Sequence, residues 1–485
     1  MRRVLPILHV LGLVVLIFAF TMLLPLAVAF IWQDAALYAY DEAFLITFTS
    51  GLLTWLFTRH KKRELQTRDG FLLVVLVWAV LPAFASLPLL FHLPDLSFTD
   101  AYFETASGLT TTGATVLVGL DALPPSINLW RHLLNWLGGM GIIVLAVAIL
   151  PMLGIGGRQL FKAETPGPMK DSKLTPRIAD TAKSLWLVYA GITLACILAL
   201  KVAGMSWFDA ICHAFAAMGL GGFSTHDASV GFFNSPAIEA VLIVFMLLAA
   251  MNFATHFLAY RSRSLKAYRG DPEVLPMLAL VVVSCIGCAL YIWQAGTYDS
   301  YWTALRHVSF NLVSLATDCG FASIDFNQWP IFVPLWMLFL SCITVSSGST
   351  GGGIKMIRSL LMFKQGQREL QRQIHPSAVL PIKLGGMAVS NQVAFAVQVF
   401  VMLYVNSIFA LTMVLVASGL DFLTSFSAII ACINNAGPGL NQVGPATNYS
   451  VLTDFQTWVC TFAMVLGRLE LMTVFVLFTR TFWRA

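Results

Sequence analysis

The chain has 485 residues, of which 58% are hydrophobic and only 11% are charged, and its formal net charge is +5. This composition leaves too little polar surface to cover a water-soluble globule of such length, so it excludes a soluble globular protein. We therefore expect an integral membrane protein.

Apolar windows long enough to cross the hydrocarbon core of a bilayer recur along the chain, and they predict about ten spanning helices. The first window follows Arg2 and Arg3, but it is too long for a signal peptide and no small-residue cleavage pattern follows it, so we interpret it as a retained helix. In chain order the windows lie at residues 4–31, 43–58, 71–93, 129–153, 185–202, 237–260, 274–292, 331–345 with a continuation to 363, 393–417 and 457–478.

The Lys and Arg residues form clusters that alternate with the predicted spans, so that every cluster falls on one side of the membrane. By the positive-inside rule this side is cytoplasmic, and both termini belong there. The opposite face is rich in aspartate, which would either attract cations or simply cap helices. These aspartates are Asp95, Asp100, Asp121, Asp209, Asp227, Asp299, Asp325, Asp421 and Asp454, against the cations Arg131, Lys201 and Arg306.

Four outer loops contain an apolar stretch of about a dozen residues, too short to cross a membrane, that runs into a glycine-containing turn. The turns read TTTGA, LGGF, TDCGF and NNAGP, and aligning them superimposes Gly113, Gly222, Gly320 and Gly437. In the first two units an Asp-Ala pair also stands at the same offset before the glycine. Each unit therefore reads as span, short re-entrant helix, glycine turn and span.

The predicted fold class is an all-α polytopic membrane protein, with four degenerate helix, re-entrant pore helix and helix repeats around a pore. Two extra N-terminal transmembrane helices stand outside the repeats. The expected boundaries are 1–66 for these two helices, and 67–157, 158–270, 271–374 and 375–485 for the four repeats, the third of which has a broken last helix.

Non-helical backbone at membrane depth is tolerated only where it is buried in protein or lines a water-filled cavity, so the four turns are expected to meet around one axis. Their side chains share almost no chemistry, so the common contribution is the main chain, whose carbonyl oxygens can replace water around a cation. Asp318 is the charged residue in the turns. Its carboxylate either strengthens the negative electrostatic field at the ion or is hydrogen-bonded behind the ion-binding turns. The candidate ion-binding residues are Thr111, Thr112, Gly113, Leu220, Gly221, Gly222, Asp318, Cys319, Gly320, Asn435, Ala436 and Gly437.

The segment SSGSTGGGIK follows a strongly apolar run. A phosphate-binding loop would need glycine directly before the lysine and Ser or Thr after it, and here Ile354 and Met356 flank the lysine. We expect instead a helix broken inside the membrane, which would either obstruct the pore and withdraw or form a fixed kink. The candidate gate residues are Ser346, Ser347, Gly348, Ser349, Thr350, Gly351, Gly352, Gly353 and Lys355, together with Arg468.

Arg468 lies in the last predicted span, where a cation at the bilayer centre costs at least ~2.5 kcal/mol unless it faces water or a partner. A position facing the pore would relieve this cost and would let Arg468 repel cations or pair with the loop. The alternative, a pair with Glu470, is disfavoured because residues two apart on a helix do not share a face.

These turns, together with WLGGMGIIVLAVAILP (Trp136 to Pro151), SSGSTGGGIK and VLGRLE (Val465 to Glu470), resemble the TrkH family of bacterial potassium-uptake subunits. The resemblance covers essentially the whole chain. It implies a potassium-conducting homodimer of the bacterial inner membrane, with one pore in each protomer and regulation by TrkA, a cytosolic ring-forming subunit that binds nucleotides. It also implies that the loop moves in gating, that Arg468 is a second part of the gate, and that potassium is the transported ligand, with no covalently bound cofactor.

Other interpretations stay open. A proton- or sodium-coupled potassium symporter would expose ionisable groups near the midplane, for which Arg468 and Asp318 are the candidates. A membrane enzyme would need a nucleophile with an adjacent base or a metal cluster, and the histidines lie in separate segments. The basic segment 355–373 would contact either a cytosolic partner or anionic lipid headgroups, and the glycine-rich segment 153–161 is expected to be a cytoplasmic turn. No nucleic-acid partner is expected.

Overall fold

The computed structural model describes residues 4–60, 65–141 and 178–484. In this part of the chain the regular structure is helical, apart from one antiparallel hairpin of strands Ile382–Leu384 and Met387–Val389. The α-helices are Leu5–Thr21, Leu23–Trp32, Leu37–Thr58, Thr67–Ala85, Leu87–His92, Phe98–Leu109, Pro125–Met140, Ile178–Val202, Trp207–Gly219, Pro236–Ala250, Phe253–Ser262, Lys266–Gly270, Val274–Gln294, Tyr301–Ala316, Phe332–Ile343, Met356–Ile374, Asn391–Ala417, Phe422–Asn434, Asp454–Arg468, Met472–Phe475 and Arg480–Trp483.

Five helical stretches in the described residues are long and apolar enough to cross a bilayer. Two pairs of helices would each add a further span if the pair is counted as one bent helix. The bend is 97° between Pro236–Ala250 and Phe253–Ser262, and 106° between Asp454–Arg468 and Met472–Phe478. The number of uninterrupted spans is smaller than the sequence windows predict, because bends divide some windows and the window at 129–153 runs into residues outside the described part.

The helices Leu5–Thr21 and Leu37–Thr58 precede the repeats and pack tightly against each other. A β-carbon added at Gly12 or at Gly51 would lie 2.9 or 2.6 Å from a backbone nitrogen of the facing helix. Small residues allow helix backbones to approach this closely inside a membrane, where van der Waals packing drives helix association.

Four shorter helices run directly into the glycine turns, and we call them pore helices 1 to 4. They are Phe98–Leu109, Trp207–Gly219, Tyr301–Ala316 and Phe422–Asn434. Pore helices 1, 2 and 4 begin at a capping side chain, that of Ser97, Ser206 or Asp421, which accepts a hydrogen bond from the first turn of the helix. In the first two, the capping serine also donates to the aspartate of the Asp-Ala pair, at 2.8 and 2.7 Å. The recurring pair is therefore a helix-start signal.

The helix that follows each turn, which we call the closing helix, stops well short of a full span. Closing helix 1 ends at Met140, closing helix 2 at Ala250, closing helix 3 at Ile343 and closing helix 4 at Arg468. The sequence predicts an interruption only in the third unit. The sharp bends in units 2 and 4 are additional, and the hydropathy of those segments does not reveal them.

Candidate functional site

The four glycine turns share one backbone conformation. Their glycines have φ angles of 79° at Gly113, 63° at Gly222, 89° at Gly320 and 83° at Gly437. The second residue before each glycine is also left-handed, with φ between 54° and 63°, although none of the four is a glycine; these residues are Thr111, Leu220, Asp318 and Asn435. The residue between them donates its N–H to the carbonyl five positions earlier, at 2.8–2.9 Å. This pattern is a Schellman helix ending, repeated four times.

The turns close into a ring in chain order. A β-carbon added to the glycine of one turn would meet the backbone carbonyl oxygen of the next turn at less than 3.0 Å, an approach that real β-carbons essentially never make. The contacts run from Gly113 to the oxygen of Gly221, from Gly222 to that of Cys319, from Gly320 to that of Ala436, and from Gly437 back to that of Thr112. Glycine is thus required at these positions both by φ and by packing.

The chemistry available in this ring is that of the main chain. Carbonyl oxygens can replace the hydration shell of an alkali cation, and backbone groups are what the four turns have in common. The pore helices end at the turns, so the negative ends of their dipoles face the ring. The arrangement can therefore hold a small cation without a charged side chain in the ring.

Asp318 points from the third turn towards the glycine-rich loop. Its Oδ2 accepts a hydrogen bond from the N–H of Gly352 at 3.0 Å, its side chain is fully buried, and it interacts electrostatically with Lys355. Of the two interpretations of this acid from sequence, the geometry favours the one in which it is hydrogen-bonded behind the ring.

The glycine-rich loop fills the gap between the helix ending at Ile343 and the one beginning at Met356, and its tip contacts the third and fourth turns and the end of pore helix 2. The Thr350 hydroxyl donates to the carbonyl of Met218 at 3.1 Å, near the end of pore helix 2. Gly352 donates to Asp318 of the third turn, and a β-carbon on Gly352 would collide with the carbonyl oxygen of Asn434, at the end of pore helix 4. The tip therefore lies directly against the ring.

Two cations hold this tip. Arg468 donates through Nη1 to the carbonyl of Thr350 at 2.8 Å and approaches the hydroxyl of Thr111 in the first turn at 3.3 Å. Its Nη2 donates to the carbonyl of Gly138 in closing helix 1. The Lys355 ammonium, which is buried, donates to the carbonyl of Gly351. The loop tip and Arg468 together thus contact the first, third and fourth turns and the end of pore helix 2.

Four other candidate gate residues, Ser346 to Ser349, form the start of the loop, and Gly353 lies near its end, where a β-carbon would approach the carbonyl oxygens of Ser341 and Cys342 within 3.0 Å. Ser346 donates its N–H to the carbonyl of Ala250 at 2.9 Å, and the carbonyl of Gly348 accepts from the N–H of Phe253 at 3.1 Å. Ser349 donates its hydroxyl to the carbonyl of Ser346 at 2.6 Å. These contacts anchor the start of the loop to the bend in unit 2.

Comparison with known proteins identifies the family. The family described as TrkH, cation transport protein, matches residues 39–484. The chain is 47% identical over 477 residues to the Trk system potassium uptake protein TrkH of Salmonella typhimurium, covering 98% of each chain. The chain belongs to the TrkH family. It is also 40% identical to the Trk system potassium uptake protein TrkG of Escherichia coli over 480 residues, covering 98% of each chain.

The crystal structure of the potassium transporter TrkH from Vibrio parahaemolyticus matches this TrkH-family fold with a TM-score of 0.89 at 45% identity, covering 99% of both chains. The family resemblance and the all-helical polytopic fold predicted from sequence are confirmed. The relatives are transporters, and the chain is a transporter rather than an enzyme.

Sequence reasoning missed a set of polar side chains that brace the segments leaving the turns of this TrkH-family chain. Glu104 accepts from the N–H of Val116 at 3.0 Å, and Asn311 accepts from the N–H of Ser323 at 3.1 Å. In pore helix 2, His213 Nε2 hydrogen-bonds with the hydroxyl of Ser224 at 2.9 Å. In pore helix 4, the hydroxyl of Ser427 accepts from the N–H of Leu440 at 2.8 Å. Aligning the units on their glycines would have revealed a polar residue at nearly the same offset in each.

Arg131, expected as a cation of the outer face, is instead buried behind the ring. Its Nε donates to Glu104 Oε1 at 2.8 Å, and the two side chains are 1% and 0% exposed. Its Nη1 donates to the carbonyl of Ser224 at 3.1 Å, just beyond the second turn. The ion pair therefore joins the segments that leave turns 1 and 2.

Proposed function

We propose that this TrkH-family chain takes up potassium through a channel-like pore whose selective element is the ring of four glycine turns. The observation that carries the proposal is the closed, chain-order contact of four turns with one backbone conformation. The relatives named as potassium uptake proteins, and the solved structure named as a potassium transporter, support potassium as the ion.

In this proposal the filter is made by the main chain of the ring. A potassium ion exchanges part of its water shell for carbonyl oxygens, including those of Thr112, Gly221, Cys319 and Ala436, which lie at the contacts between turns. The remaining candidate residues of the turns set the backbone conformation and the packing around these oxygens.

The gate is the glycine-rich loop with Arg468 and Lys355. Both cations donate to carbonyls at the loop tip, and the tip lies against the ring, so the loop in this position obstructs the ion path. The two positive charges also oppose a cation at the same place. Conduction requires that the loop withdraw.

The assembly follows from the same proposal. The chain forms a homodimer in the bacterial inner membrane, with both termini in the cytoplasm, and a cytosolic nucleotide-binding ring, TrkA, controls the gate. Names of relatives that refer to a Trk system support a multi-subunit assembly. The strongly amphipathic helix Met356–Ile374, directly after the loop, is a suitable contact for that subunit. The two-helix segment 1–66 and the repeats 67–157, 158–270, 271–374 and 375–485 are the proposed structural units.

The test is ion flux into liposomes that contain only the purified chain, with potassium, rubidium, sodium and lithium compared under an imposed diffusion potential. Removal of residues Gly351 to Gly353 is expected to raise the flux, with potassium and rubidium above sodium. Flux that depends on a proton or sodium gradient would replace the proposal with a coupled symporter. Unchanged flux in the folded deletion variant would remove the loop as the gate.

A further inference from the structure

A single carboxylate oxygen joins the two ends of the glycine-rich loop. Glu273 Oε1 accepts a hydrogen bond from the N–H of Ser347, near the start of the loop, and another from the N–H of Ile357, just past its end, both at 2.9 Å. Glu273 is 4% exposed and immediately precedes the helix Val274–Gln294. One side chain therefore helps to hold both ends of the loop, beside backbone hydrogen bonds such as that from the N–H of Met356 to the carbonyl of Val345 at 2.8 Å.

The electrostatics make this contact strong. Ile357 lies in the first turn of the helix Met356–Ile374, whose N-terminal end carries partial positive charge and attracts a carboxylate. Hydrogen bonds to an ionised acceptor are also roughly twice as strong as those between neutral groups. Glu273 is thus a better anchor for the loop than a neutral side chain would be.

Glu273 ends a segment of the chain that contacts the loop at both of its own ends. We call residues 251–273 the clasp. At its start, the N–H of Phe253 donates to the carbonyl of Gly348 at 3.1 Å. Near its end, the Asp271 carboxylate accepts from the hydroxyl of Thr255 at 2.6 Å, which ties the two ends of the clasp together. Movement of the clasp therefore acts directly on the loop.

We propose that Glu273 is a positioning residue of the gate, which holds the loop against the ring until the clasp moves. This rests on the proposed gating role of the loop. If the loop withdraws as a unit, either both N–H groups leave Oε1 or the clasp moves together with the loop. Loss of the carboxylate thus favours the withdrawn position.

The test measures loop position and ion flux separately. Ser349→Cys places a thiol within the loop, and the native background is low because all eight native cysteines are buried. The rate at which a charged, membrane-impermeant methanethiosulfonate modifies this thiol is measured in the full-length protein in liposomes. Rubidium flux is measured separately, in the corresponding proteins without the added cysteine. The variants are Glu273→Ala and Glu273→Gln, with Glu42→Ala as the control, since Glu42 is an exposed glutamate on the helix Leu37–Thr58, outside the repeats.

Glu273→Ala is expected to raise the modification rate about tenfold or more, because each hydrogen bond to a charged acceptor contributes at least that factor. Flux is expected to rise with it. Glu273→Gln keeps an oxygen that can accept both bonds and is expected to fall between the parent and the alanine variant, whereas Glu42→Ala leaves both readouts unchanged.

If Glu273→Ala raises the modification rate but not the flux, Glu273 still positions the loop, but the loop is not the gate. Unchanged modification in folded Glu273→Ala would overturn the role of Glu273, whatever the flux. If that variant does not fold, Ile357→Pro removes one of the two donors while keeping the carboxylate, at a first-turn position where proline is tolerated. An unchanged modification rate in Ile357→Pro would equally overturn the inference.

Discussion

Replacing Gly113 with alanine is expected to abolish selective potassium conduction, and Gly119 offers a matched control in the same repeat. Both glycines are left-handed, with φ of 79° and 72°, so an alanine at either site costs about 1–2 kcal/mol in backbone strain. They differ in packing. A β-carbon at Gly113 would collide with the carbonyl oxygen of Gly221, whereas one at Gly119 meets nothing within 4 Å.

The collision adds a further cost of about 1–3 kcal/mol at Gly113, the usual range for overpacking a closely packed site. Part of the strain would be relieved by displacing the carbonyl of Gly221, which is proposed to face the ion. We therefore expect Gly113→Ala to lose either flux or the preference for potassium over sodium, and Gly119→Ala to lose only a little thermal stability.

The assay compares potassium and sodium flux in liposomes, with thermal stability measured on the same purified proteins. Wild-type ion preference and flux in folded Gly113→Ala would refute the reasoning, because the ring would then tolerate a side chain at one of its two tightest contacts between turns. Equal losses in the two variants would attribute the effect to backbone strain alone.

Two further predictions concern contacts around the ring, and a third concerns an acid in the outer loops. Arg468→Ala should raise flux without any partner subunit, and Arg468→Lys should raise it less, since lysine keeps the charge but not the forked donors; equal flux in all three proteins would contradict this. Glu104→Ala should destabilise the fold by about 3–5 kcal/mol because it leaves Arg131 buried without its partner, whereas the double variant Glu104→Leu with Arg131→Met should recover much of the loss, as measured by thermal unfolding. Partial burial raises the pKa of Asp121, but hydrogen bonds from His226 and a backbone N–H outweigh it and lower the pKa below 3.8. The ionised carboxyl therefore stabilises the outer loops above pH 3.8, and this contribution is lost as pH falls through the lowered pKa. The difference in Tm between Asp121→Asn and the parent should therefore become smaller in acid. A difference in Tm that stays constant with pH would contradict this prediction.

The ring glycines were the part of the site that sequence predicted best. A glycine is needed wherever a side chain cannot be accommodated, and four of them in equivalent short loops give a pattern visible without any structure. The left-handed residues two positions earlier were not predictable, because Thr111, Leu220, Asp318 and Asn435 share no side-chain property that favours such a backbone. The Schellman geometry of the helix ends imposes it.

The tertiary contacts of the loop could not be predicted from the sequence, for a different reason. Glu273 is one acid in a segment rich in basic and polar residues, and nothing local indicates that two distant N–H groups converge on it. The bends at Ala250 and Arg468 were also missed, since hydrophobic periodicity reports burial and not helix direction. Arg468 was identified because a cation in an apolar span is costly wherever its partners lie.

The most direct test of the central claim is to locate the ion. Crystals of the protein grown or soaked in rubidium should show anomalous density on the axis of the ring, bounded by the carbonyl oxygens of Thr112, Gly221, Cys319 and Ala436, and this density should be lost when rubidium is replaced by sodium. Ordered rubidium held elsewhere by side-chain carboxylates, with none in the ring, would contradict the account.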